Sequence, residues 1–382
     1  MNYCKRCILP DTRPGIWLDE DGVCSGCCGQ DYKDNRINWA EREGWLAEIV
    51  ADAKRQASSY DCIVPVSGGK DSWYQIISCQ EMGLKCLAVT WRTPARTPLG
   101  QRNIDEMIRC LGIDHIDYTI DPDVERRFMK VAFERAGDPG LPMHMALFVI
   151  PQRLALQMRI PLVVWGENPQ LEFGGTDKER LATMLDDEWM RKHGCMQGTN
   201  ADDWVGPELS AADLAAYRLP GPDAFAETEF RAKSIWLGAF RKWNSFENAK
   251  VAKRHGFDFE DGGTRVGTWD FADIDCDFIS LHHLPKWQKF GMTRAFDNLS
   301  VQIRYGMLKR EEAIQRLRRI GLQVPYGDIR KFCAFAGQPE SWFWDILNRF
   351  RNHDIWRHED GIWRIPDFLI ADWDWTDPAV AP

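Results

Sequence analysis

Two short stretches of the sequence carry residue types at spacings that could do chemistry. The first, residues 67–72, reads SGGKDS and follows an apolar run. Two glycines between a strand and a helix let backbone N–H groups approach an anion, and a helix N-terminus favours negative charge. The lysine could neutralise phosphate, the serines could hydrogen-bond phosphate oxygens and the aspartate could hold Mg²⁺. The predicted phosphate-binding residues are Ser67, Gly68, Gly69, Lys70, Asp71 and Ser72.

The second stretch is an N-terminal pattern of two C-x2-C pairs separated by sixteen residues. Each pair can offer two thiolates to one ion, and the intervening loop can close a tetrahedron. Zinc (Zn²⁺) is the favoured metal, and rubredoxin-like iron is the alternative. The expected ligands are Cys4, Cys7, Cys24 and Cys27, with Cys28 as an alternative fourth ligand.

The composition is that of a globular protein in a reducing compartment. The chain of 382 residues is 44% hydrophobic and has a net charge of −9, which argues against a general nucleic-acid binder. The first residues do not resemble a signal peptide, and no apolar run approaches the roughly 20 residues of a membrane helix. We therefore expect a cytoplasmic protein whose twelve cysteines are thiols or metal ligands.

Short apolar segments alternate with helical patterns, and these elements must position the glycine-rich turn. The predicted strands are 62–66, 86–91, 115–119 and 162–165. The predicted helices are 37–57, 72–82, 102–111, 124–135, 145–157, 309–320 and 341–351. This alternation implies an α/β fold with a parallel sheet covered on both faces. Residues 176–230 are acidic, are interrupted by Pro and Gly, and are interpreted as an insertion or a lid.

The SGGKDS stretch resembles the PP-loop of the ATP pyrophosphatases, the adenine-nucleotide alpha-hydrolase superfamily, and its spacing differs from the Walker loop. The resemblance implies a doubly wound, Rossmann-like parallel sheet with the loop after its first strand. It also implies that ATP is cleaved between the α and β phosphates and that AMP is transferred to a carbonyl oxygen. Ligands of such sheets lie beyond the carboxyl ends of the strands. The further binding candidates at those ends are Thr90, Trp91, Gly166, Glu167 and Asn168.

Longer stretches resemble the N-acetyl sugar amidotransferases of the WbpG/PseA-like family. They are the opening MNYCKRCILPDTRPGI, the SGGKDS loop, WGENPQLEFGG at 165–175, WLGAFRKWN at 236–244 and the long stretch 274–314. The resemblance covers most of the chain but not residues 176–230. The expected organisation is a zinc-ribbon-like Cys4 head at 1–35, a PP-loop domain at 36–245 with an insertion at about 176–230, and a mainly helical substrate or partner region at 246–382.

This resemblance implies amidine formation on a nucleotide-linked sugar, in lipopolysaccharide O-antigen or flagellar glycan biosynthesis. ATP adenylates the oxygen of an acetamido group, and ammonia then displaces AMP to leave an acetamidino group. The transfer needs cations near the α-phosphate. The catalytic candidates are Lys70, Asp71, Glu167, Lys289 and Arg294. The candidates for holding substrate, Mg²⁺ or a transferred proton are Asn168, Glu172, Asp275, His282, His283 and Arg304.

The sequence indicates that ammonia comes from another protein. Cys195 lies in GCMQG, which lacks the second glycine of a G-x-C-x-G glutaminase elbow, and no His-x-Glu pair occurs in the chain. The family resemblance implies separate partners similar to the glutaminase and cyclase subunits of imidazole glycerol phosphate synthase.

Two alternatives stay open at this point. A PP-loop tRNA-modifying enzyme of the thiolase kind would share the Cys4 head and the loop, but it should carry a basic stripe and a catalytic C-x-x-C. A nucleotide-sensing or zinc scaffold protein would keep the fold without the chemistry. The negative net charge disfavours the first alternative, and the intact loop at 67–72 disfavours the second.

Overall fold

The computed structural model of the chain describes residues 1–194, 196–219, 230, 232–261, 263–377 and 379. The strands are β1 Cys62–Pro65, β2 Cys86–Trp91, β3 Asp114–Tyr118, β4 Leu162–Trp165, β5 Lys233–Trp236, β6 Arg357–Glu359 and β7 Ile362–Arg364. The α-helices are α1 Ser25–Asn35, α2 Trp39–Gln56, α3 Lys70–Glu81, α4 Pro98–Leu111, α5 Pro122–Ala136, α6 Leu141–Gln157, α7 Pro169–Phe173, α8 Asp177–Leu181, α9 Asp187–His193, α10 Ser245–His255, α11 Ile279–His283, α12 Pro285–Phe290, α13 Arg294–Arg304, α14 Arg310–Ile320, α15 Tyr326–Ala336 and α16 Glu340–Arg349.

The first five strands form one parallel sheet in the order β3-β2-β1-β4-β5. The central strands β1 and β4 are wholly buried, and their continuous apolar runs suit a parallel sheet whose faces carry helices. Helices α3 and α6 both pack against β1 and β2. The predicted α/β class and its four strands are confirmed. The sequence prediction missed β5, because it has only four residues and follows a stretch without periodicity.

The direction in which strands are added to the sheet reverses between β1 and β4. The chain builds β1, β2 and β3 outward on one side, and then crosses through α5 and α6 to place β4 on the other side of β1. In an open parallel sheet, such a reversal leaves a crevice at the carboxyl ends of the two strands. The SGGKDS turn follows β1 and residues 166–168 follow β4, so both stretches reach this crevice.

The described part of the 176–219 stretch packs against the sheet and its helices. Met184 forms an antiparallel bridge with Ile235 of β5, and the rings of Trp189 and Trp236 lie 4.6 Å apart. Further along, Tyr217 packs edge-on against Phe128 of α5, with 4.9 Å between the ring centroids. These contacts place the described part of the stretch against β5 and α5. Residues 220–229 lie outside the described residues.

The C-terminal half is mainly helical, as predicted. Helix α10 packs on α3 of the sheet domain, and α15 packs on α5. The cysteines of the N-terminal head share a hydrophobic cluster with aromatic side chains of the C-terminal region, among them Trp287, Phe296 and Trp356. The head is therefore fixed to the C-terminal helices. Within the described residues, no helix combines the length and apolar character that crossing a membrane requires.

Candidate active site

The SGGKDS turn is a tight loop whose shape depends on two of its residues. Gly68 has φ +89°, and a Cβ added there would lie 2.7 Å from the carbonyl oxygen of Gly100 on α4. The Ser67 N–H donates to Ser72 Oγ at 2.9 Å, which closes the loop. Helix α3 begins directly after Gly69, so its first N–H groups face the crevice. The turn thus has the form of an anion cradle at a helix N-terminus.

A cavity of about 380 Å³ opens over this turn. Its lining combines residues that follow β1, β2 and β4 with residues from the C-terminal region. The predicted site residues that the structure brings together there are Ser67, Gly69, Lys70, Asp71, Thr90, Trp91, Glu167, Asp275 and Arg294. Gly68 and Ser72 are outside the cavity lining but belong to the same turn. Gly68 packs against Gly100, and Ser72 Oγ accepts the hydrogen bond that closes the turn.

Lys70 and Asp71 form an ion pair at the edge of this cavity. The Lys70 Nζ lies 2.5 Å from Asp71 Oδ2 and 5.5 Å from the centre of the Phe271 ring. The other carboxylate oxygen, Asp71 Oδ1, is buried and has no hydrogen-bond partner within the described residues. Carboxylate oxygens are the ligands that Mg²⁺ prefers. The site therefore fits Mg²⁺, with Asp71 and Glu167 as the residues that would hold it.

Glu167 follows β4 and faces the turn across the switch point. Burial raises the pKa of Glu167 to about 8, and the negative charge of Asp71 adds to this, against the opposing charge of Lys70. At neutral pH the ligand-free site therefore holds Glu167 largely protonated. A cation at the site would favour the carboxylate form and release this proton.

The raised pKa of Glu167 predicts that the protein free of nucleotide and Mg²⁺ loses stability as the pH rises from about 5 to about 8. In this window the folded state keeps a proton that the unfolded chain has lost, so rising pH favours unfolding. Burial also raises the pKa of Glu125 to about 8, and this acts in the same direction. Thermal midpoints measured across this pH range should fall less steeply in E167Q, and E125Q is the matched comparison. An unchanged slope in both variants would contradict the prediction.

A segment of the C-terminal half, residues 271–276, closes the cavity opposite the turn. The Thr97 N–H donates to the carbonyl oxygen of Asp275 at 3.0 Å, and Thr97 Oγ1 donates to that of Ile274. A Cβ added at Gly100 would lie 2.7 Å from Asp275 Cα, so the segment sits directly on the start of α4. Burial raises the pKa of Asp275, against a hydrogen bond from Ser67. The contact joins the C-terminal segment to the phosphate turn.

Asp273 organises the basic side of the cavity. Its carboxylate accepts a hydrogen bond from Arg294 Nε at 2.8 Å and lies 3.3 Å from His283 Nε2. Burial alone would raise the pKa of Asp273, but Arg294 and His283 hold it well below its usual range. Asp273 was not among the predicted site residues, although it lies directly before the family-like stretch 274–314 and two positions before Asp275.

Two of the predicted substrate residues are instead part of a buried network behind the cavity. Glu172 pairs with the fully buried Lys33 at 2.7 Å and accepts a hydrogen bond from the Tyr305 hydroxyl at 2.9 Å. Arg304 donates to the carbonyl oxygen of Glu172. Its guanidinium also lies against Gly26 of the head. These charges connect α1 and α13 to α7 and do not line the cavity.

Two predicted residues after β4 also have structural partners. Asn168 accepts hydrogen bonds from the first N–H groups of α7 and donates to the carbonyl oxygen of Ala182 at 2.9 Å. A Cβ added at Gly166 would lie 3.2 Å from both Gln75 and Trp243, so this position is packed. Both residues hold the backbone around Glu167 and are outside the cavity lining.

The remaining distal candidates lie behind the cavity wall. Lys289 Nζ donates to the carbonyl oxygen of Ala136 at 2.5 Å, and burial lowers the pKa of Lys289. His282 Nδ1 lies 3.0 Å from Asp138 Oδ2. The predicted residues that the structure places outside the cavity lining are Gly166, Asn168, Glu172, His282, His283, Lys289 and Arg304.

The end of β2 forms another side of the cavity, with the predicted binding residues Thr90 and Trp91. Thr90 Oγ1 lies 2.8 Å from His115 Nε2, and Trp91 Nε1 donates to Glu125 Oε1 at 2.6 Å. These bonds fix the two side chains before any ligand arrives. Residues that line the cavity but were not predicted include Thr93, Arg96, His144, Phe173, Trp269, Phe271 and Asp273. Arg96 lies five residues after the end of β2, so it could have been found as a cation close to a strand end.

The four-cysteine head has the geometry of a metal site. The four sulfur atoms lie within 4.8 Å of one another, and they belong to the buried residues Cys4, Cys7, Cys24 and Cys27. Backbone N–H groups of Arg6 and Cys7 point at Cys4 Sγ, at 3.4 and 3.3 Å. Four thiolates around one point suit tetrahedral zinc, so the residues fit this ion. A second group of three buried sulfurs, Cys62, Cys79 and Cys86, lies in the core of the sheet.

Removal of the metal should loosen both the head and the helices beneath it. Replacing Cys7 by serine should abolish stoichiometric zinc, measured by elemental analysis, and lower the thermal midpoint, because zinc binding supplies folding free energy. Cys28→Ser is the matched control, since Cys28 Sγ points to Asp19 and lies outside the sulfur cluster. Zinc retained by C7S, or lost from C28S, would contradict the assignment of ligands.

The fold and the site together define an α/β protein with an anion cradle. The glycine-rich SGGKDS turn lies between the first strand of the sheet and the helix that follows it, at the switch point where open parallel sheets bind their ligands. Residues 251–369 match the family model of the C-terminal domain of the WbpG-like lipopolysaccharide biosynthesis proteins. Residues 251–369 therefore resemble the C-terminal domain of the WbpG-like proteins, the family whose motifs the sequence analysis identified.

Comparisons with individual proteins add little to the match with the family model. Among solved structures, NMN synthetase from Francisella tularensis is similar, with 18% identity and a TM-score of 0.24. The alignment covers 34% of this chain and 54% of that chain, so the chain spans about half of the length of this relative. The comparison with curated proteins gives no match.

Proposed function

We propose that the protein is an ATP-dependent amidotransferase that converts the acetamido group of a nucleotide-activated sugar to an acetamidino group. One observation carries the proposal: the WbpG-like C-terminal region supplies Asp273, Asp275 and Arg294 to the cavity over the phosphate turn. A cradle for a triphosphate and the side chains of a lipopolysaccharide biosynthesis family thus face one another. On this proposal the substrate is a precursor sugar of lipopolysaccharide O-antigen or of a flagellar glycan, and the match to a lipopolysaccharide biosynthesis family supports this.

The chemistry begins with attack of the acetamido oxygen on the α-phosphorus of ATP. The new O–P bond forms as the bond to pyrophosphate breaks, and negative charge builds on the leaving oxygen. Lys70 and the N–H groups at the start of α3 are positioned to stabilise this charge. Mg²⁺ held by Asp71 and Glu167 would supply further positive charge there. The substrate carbon is then activated, because its oxygen has become part of a phosphate leaving group.

Ammonia completes the reaction by attack on this carbon. A C–N bond forms, one proton leaves the nitrogen, and AMP departs with the former amide oxygen. The product keeps two nitrogens on the carbon as an amidine. We further propose that the ammonia comes from a separate glutaminase subunit with a cyclase-like partner, because the chain carries no glutaminase motif. Cys195, the nearest approach to such a motif, lies outside the described residues.

The test is product analysis with the purified protein, ATP, Mg²⁺, ammonium and a panel of UDP- or CMP-linked acetamido sugars. The expected products are AMP, pyrophosphate and a sugar nucleotide that is lighter by the difference between O and NH. With ¹⁸O in the acetamido group, the label should appear in AMP. Glutamine alone should not support turnover without a partner. Formation of ADP, or AMP formation that needs tRNA and not the sugar, would contradict the proposal.

A further inference from the structure

One residue of the cavity has no part in the chemistry described so far. His144 lies in the first turn of α6 and lines the cavity together with Met143 and Leu147. Because α6 leads directly into β4, its C-terminus lies near the start of that strand and its N-terminus lies at the carboxyl edge of the sheet. The fold therefore brings His144 to the same crevice as the phosphate turn.

The hydrogen bonding of His144 fixes its tautomer. The Nδ1 atom lies 2.8 Å from the carbonyl oxygen of Gly140, which can only accept, so Nδ1 carries the hydrogen. Within the described residues this is the only hydrogen bond of the ring. In the neutral ring Nε2 then carries a lone pair and acts as a proton acceptor. Burial lowers the pKa of His144 to about 4, and the nearby charge of His282 adds to this, so the ring is neutral at pH 7.

A second layer holds this histidine in place. The His282 ring lies 4.5 Å from the His144 ring, and its Nδ1 lies 3.0 Å from Asp138 Oδ2. The Gly140 N–H donates to Asp138 Oδ1 at 2.8 Å, so one carboxylate contacts both His282 and the residue whose carbonyl oxygen binds His144. A Cβ added at Gly140 would lie 2.8 Å from His282 Cβ, which shows how closely the two segments approach.

The carboxylates of the cavity are engaged elsewhere. Asp71 pairs with Lys70, and Asp273 binds Arg294. Asp275 interacts with Ser67 of the phosphate turn. Glu167 lies beside Asp71, where it would hold Mg²⁺. His144, by contrast, has an uncommitted acceptor atom and apolar neighbours on its own helix.

We propose that His144 accepts the proton released when ammonia attacks the adenylated acetamido carbon, a role that rests on the proposed function. The nitrogen lone pair forms the C–N bond, and the nitrogen becomes positively charged. One of its protons moves to His144 Nε2. The C–O bond then breaks, and AMP leaves with the oxygen and the bonding electron pair. The proton on His144 passes to water in the cavity, which restores the neutral ring.

Several titratable and charged groups surround this ring, and all of them influence how it responds to pH. From the elements packed behind it and from the cavity, these groups are Asp138, His282, Lys286, Lys70, Asp71, Arg96, Glu167, Asp273, Asp275 and Arg294. The pH profile of a single variant is therefore read against that of the wild type and not as the titration of one residue.

The test separates the two halves of the reaction. Exchange of pyrophosphate into ATP, dependent on the acetamido sugar nucleotide, reports adenylation without ammonia, and amidine formation reports both steps. His144→Asn keeps a donor for the Gly140 carbonyl oxygen but removes the Nε2 acceptor. We expect it to retain exchange while amidine formation falls by about 10²–10⁴-fold, the usual contribution of a general base. His144→Ala should regain amidine formation with added imidazole, and the loss in H144N should shrink as the pH rises.

His255→Asn is the matched control, because His255 Nδ1 makes the same type of bond to a helix carbonyl, at Val251, on an exposed surface. It should leave both half-reactions unchanged. Retention of amidine formation in H144N, or equal loss of both half-reactions with an unchanged thermal midpoint, would overturn the role of His144. If the thermal midpoint of H144N is lower than that of the wild type, the experiment with H144A and imidazole tests the role instead. Recovery of amidine formation supports the role of His144, and its absence contradicts it. Absence of exchange in the wild type would instead overturn the proposed function, and the role of His144 with it.

Discussion

Replacing Lys70 by methionine lowers the rate of AMP and pyrophosphate formation by about 10²–10³-fold, the usual effect of removing one preorganised donor to a transition state. The ammonium group lies at the first residue of α3, on the cavity and beside the phosphate turn. Without nucleotide its charge is held by Asp71 at 2.5 Å. When phosphate oxygens enter, the same charge can move to them, so Lys70 is free to act where negative charge develops. Methionine keeps the length and the apolar packing of the side chain without this charge.

The stability of the protein should change little in K70M. The Asp71 side chain is about one-third exposed, so water can solvate its outer carboxylate oxygen when Lys70 is replaced. The control is Lys54→Met, since Lys54 donates to the carbonyl oxygen of Met82 on the exposed surface, away from the cavity. K54M should turn over like the wild type. The role of Lys70 is excluded if K70M retains full turnover while its thermal midpoint matches that of the wild type.

The sequence predicted the phosphate turn because all of its determinants are local. Residues 66–72 contain the end of an apolar run, two glycines and the start of a helix. No contact with a distant part of the chain is needed to recognise this pattern. The same holds for the Cys4 head, where the spacing alone brings four sulfurs together and the structure selects Cys27 over Cys28.

The distal charges could not be assigned in this way. Arg294 and Arg304 begin and end the same helix, α13, and the sequence offers no reason to treat them differently. Arg294 turns into the cavity beside Asp273, whereas Arg304 turns toward Glu172 and the metal-binding head. Which of these occurs depends on the packing of α13 between two partners that are far away in sequence. The helical period of 3.6 residues predicts which charged residues share a face of a helix. It does not predict which part of the protein packs against that face.

The histidines also show that the sequence does not reveal which side chains reach the cavity. The pair His282 and His283 lies in the family-like stretch, yet both rings are buried outside the cavity lining, paired with Asp138 and Asp273. The histidine that lines the cavity, His144, lies in an apolar helix that reads as core. Only the fold shows that the first turn of this helix reaches the carboxyl edge of the sheet. The sequence therefore pointed to two histidines that lie outside the cavity lining and did not point to His144, which lines it.

Gly68→Ala tests the phosphate turn through its backbone and leaves every charge in place. Gly68 has φ +89°, and a left-handed conformation costs an L-residue about 1–2 kcal/mol. The added Cβ would also lie 2.7 Å from the carbonyl oxygen of Gly100. The Gly100 backbone has no room to move away, because Asp275 packs closely against it. A Cβ added at Gly100 would lie 2.7 Å from Asp275 Cα. The phosphate turn itself must therefore shift, and its N–H groups would no longer point at bound phosphates.

We expect G68A to bind ATP at least about tenfold more weakly, a loss of about 1.4 kcal/mol, in calorimetric titrations with Mg²⁺. Gly112→Ala separates this loss from general strain. Gly112 ends α4 with φ +60°, and no atom lies within 4 Å of the position of its added Cβ. Both variants should melt earlier than the wild type, but only G68A should lose affinity for ATP. Equal ATP affinities in G68A, G112A and the wild type would mean that the phosphates bind elsewhere, because a displaced backbone cannot cradle them as the native turn does.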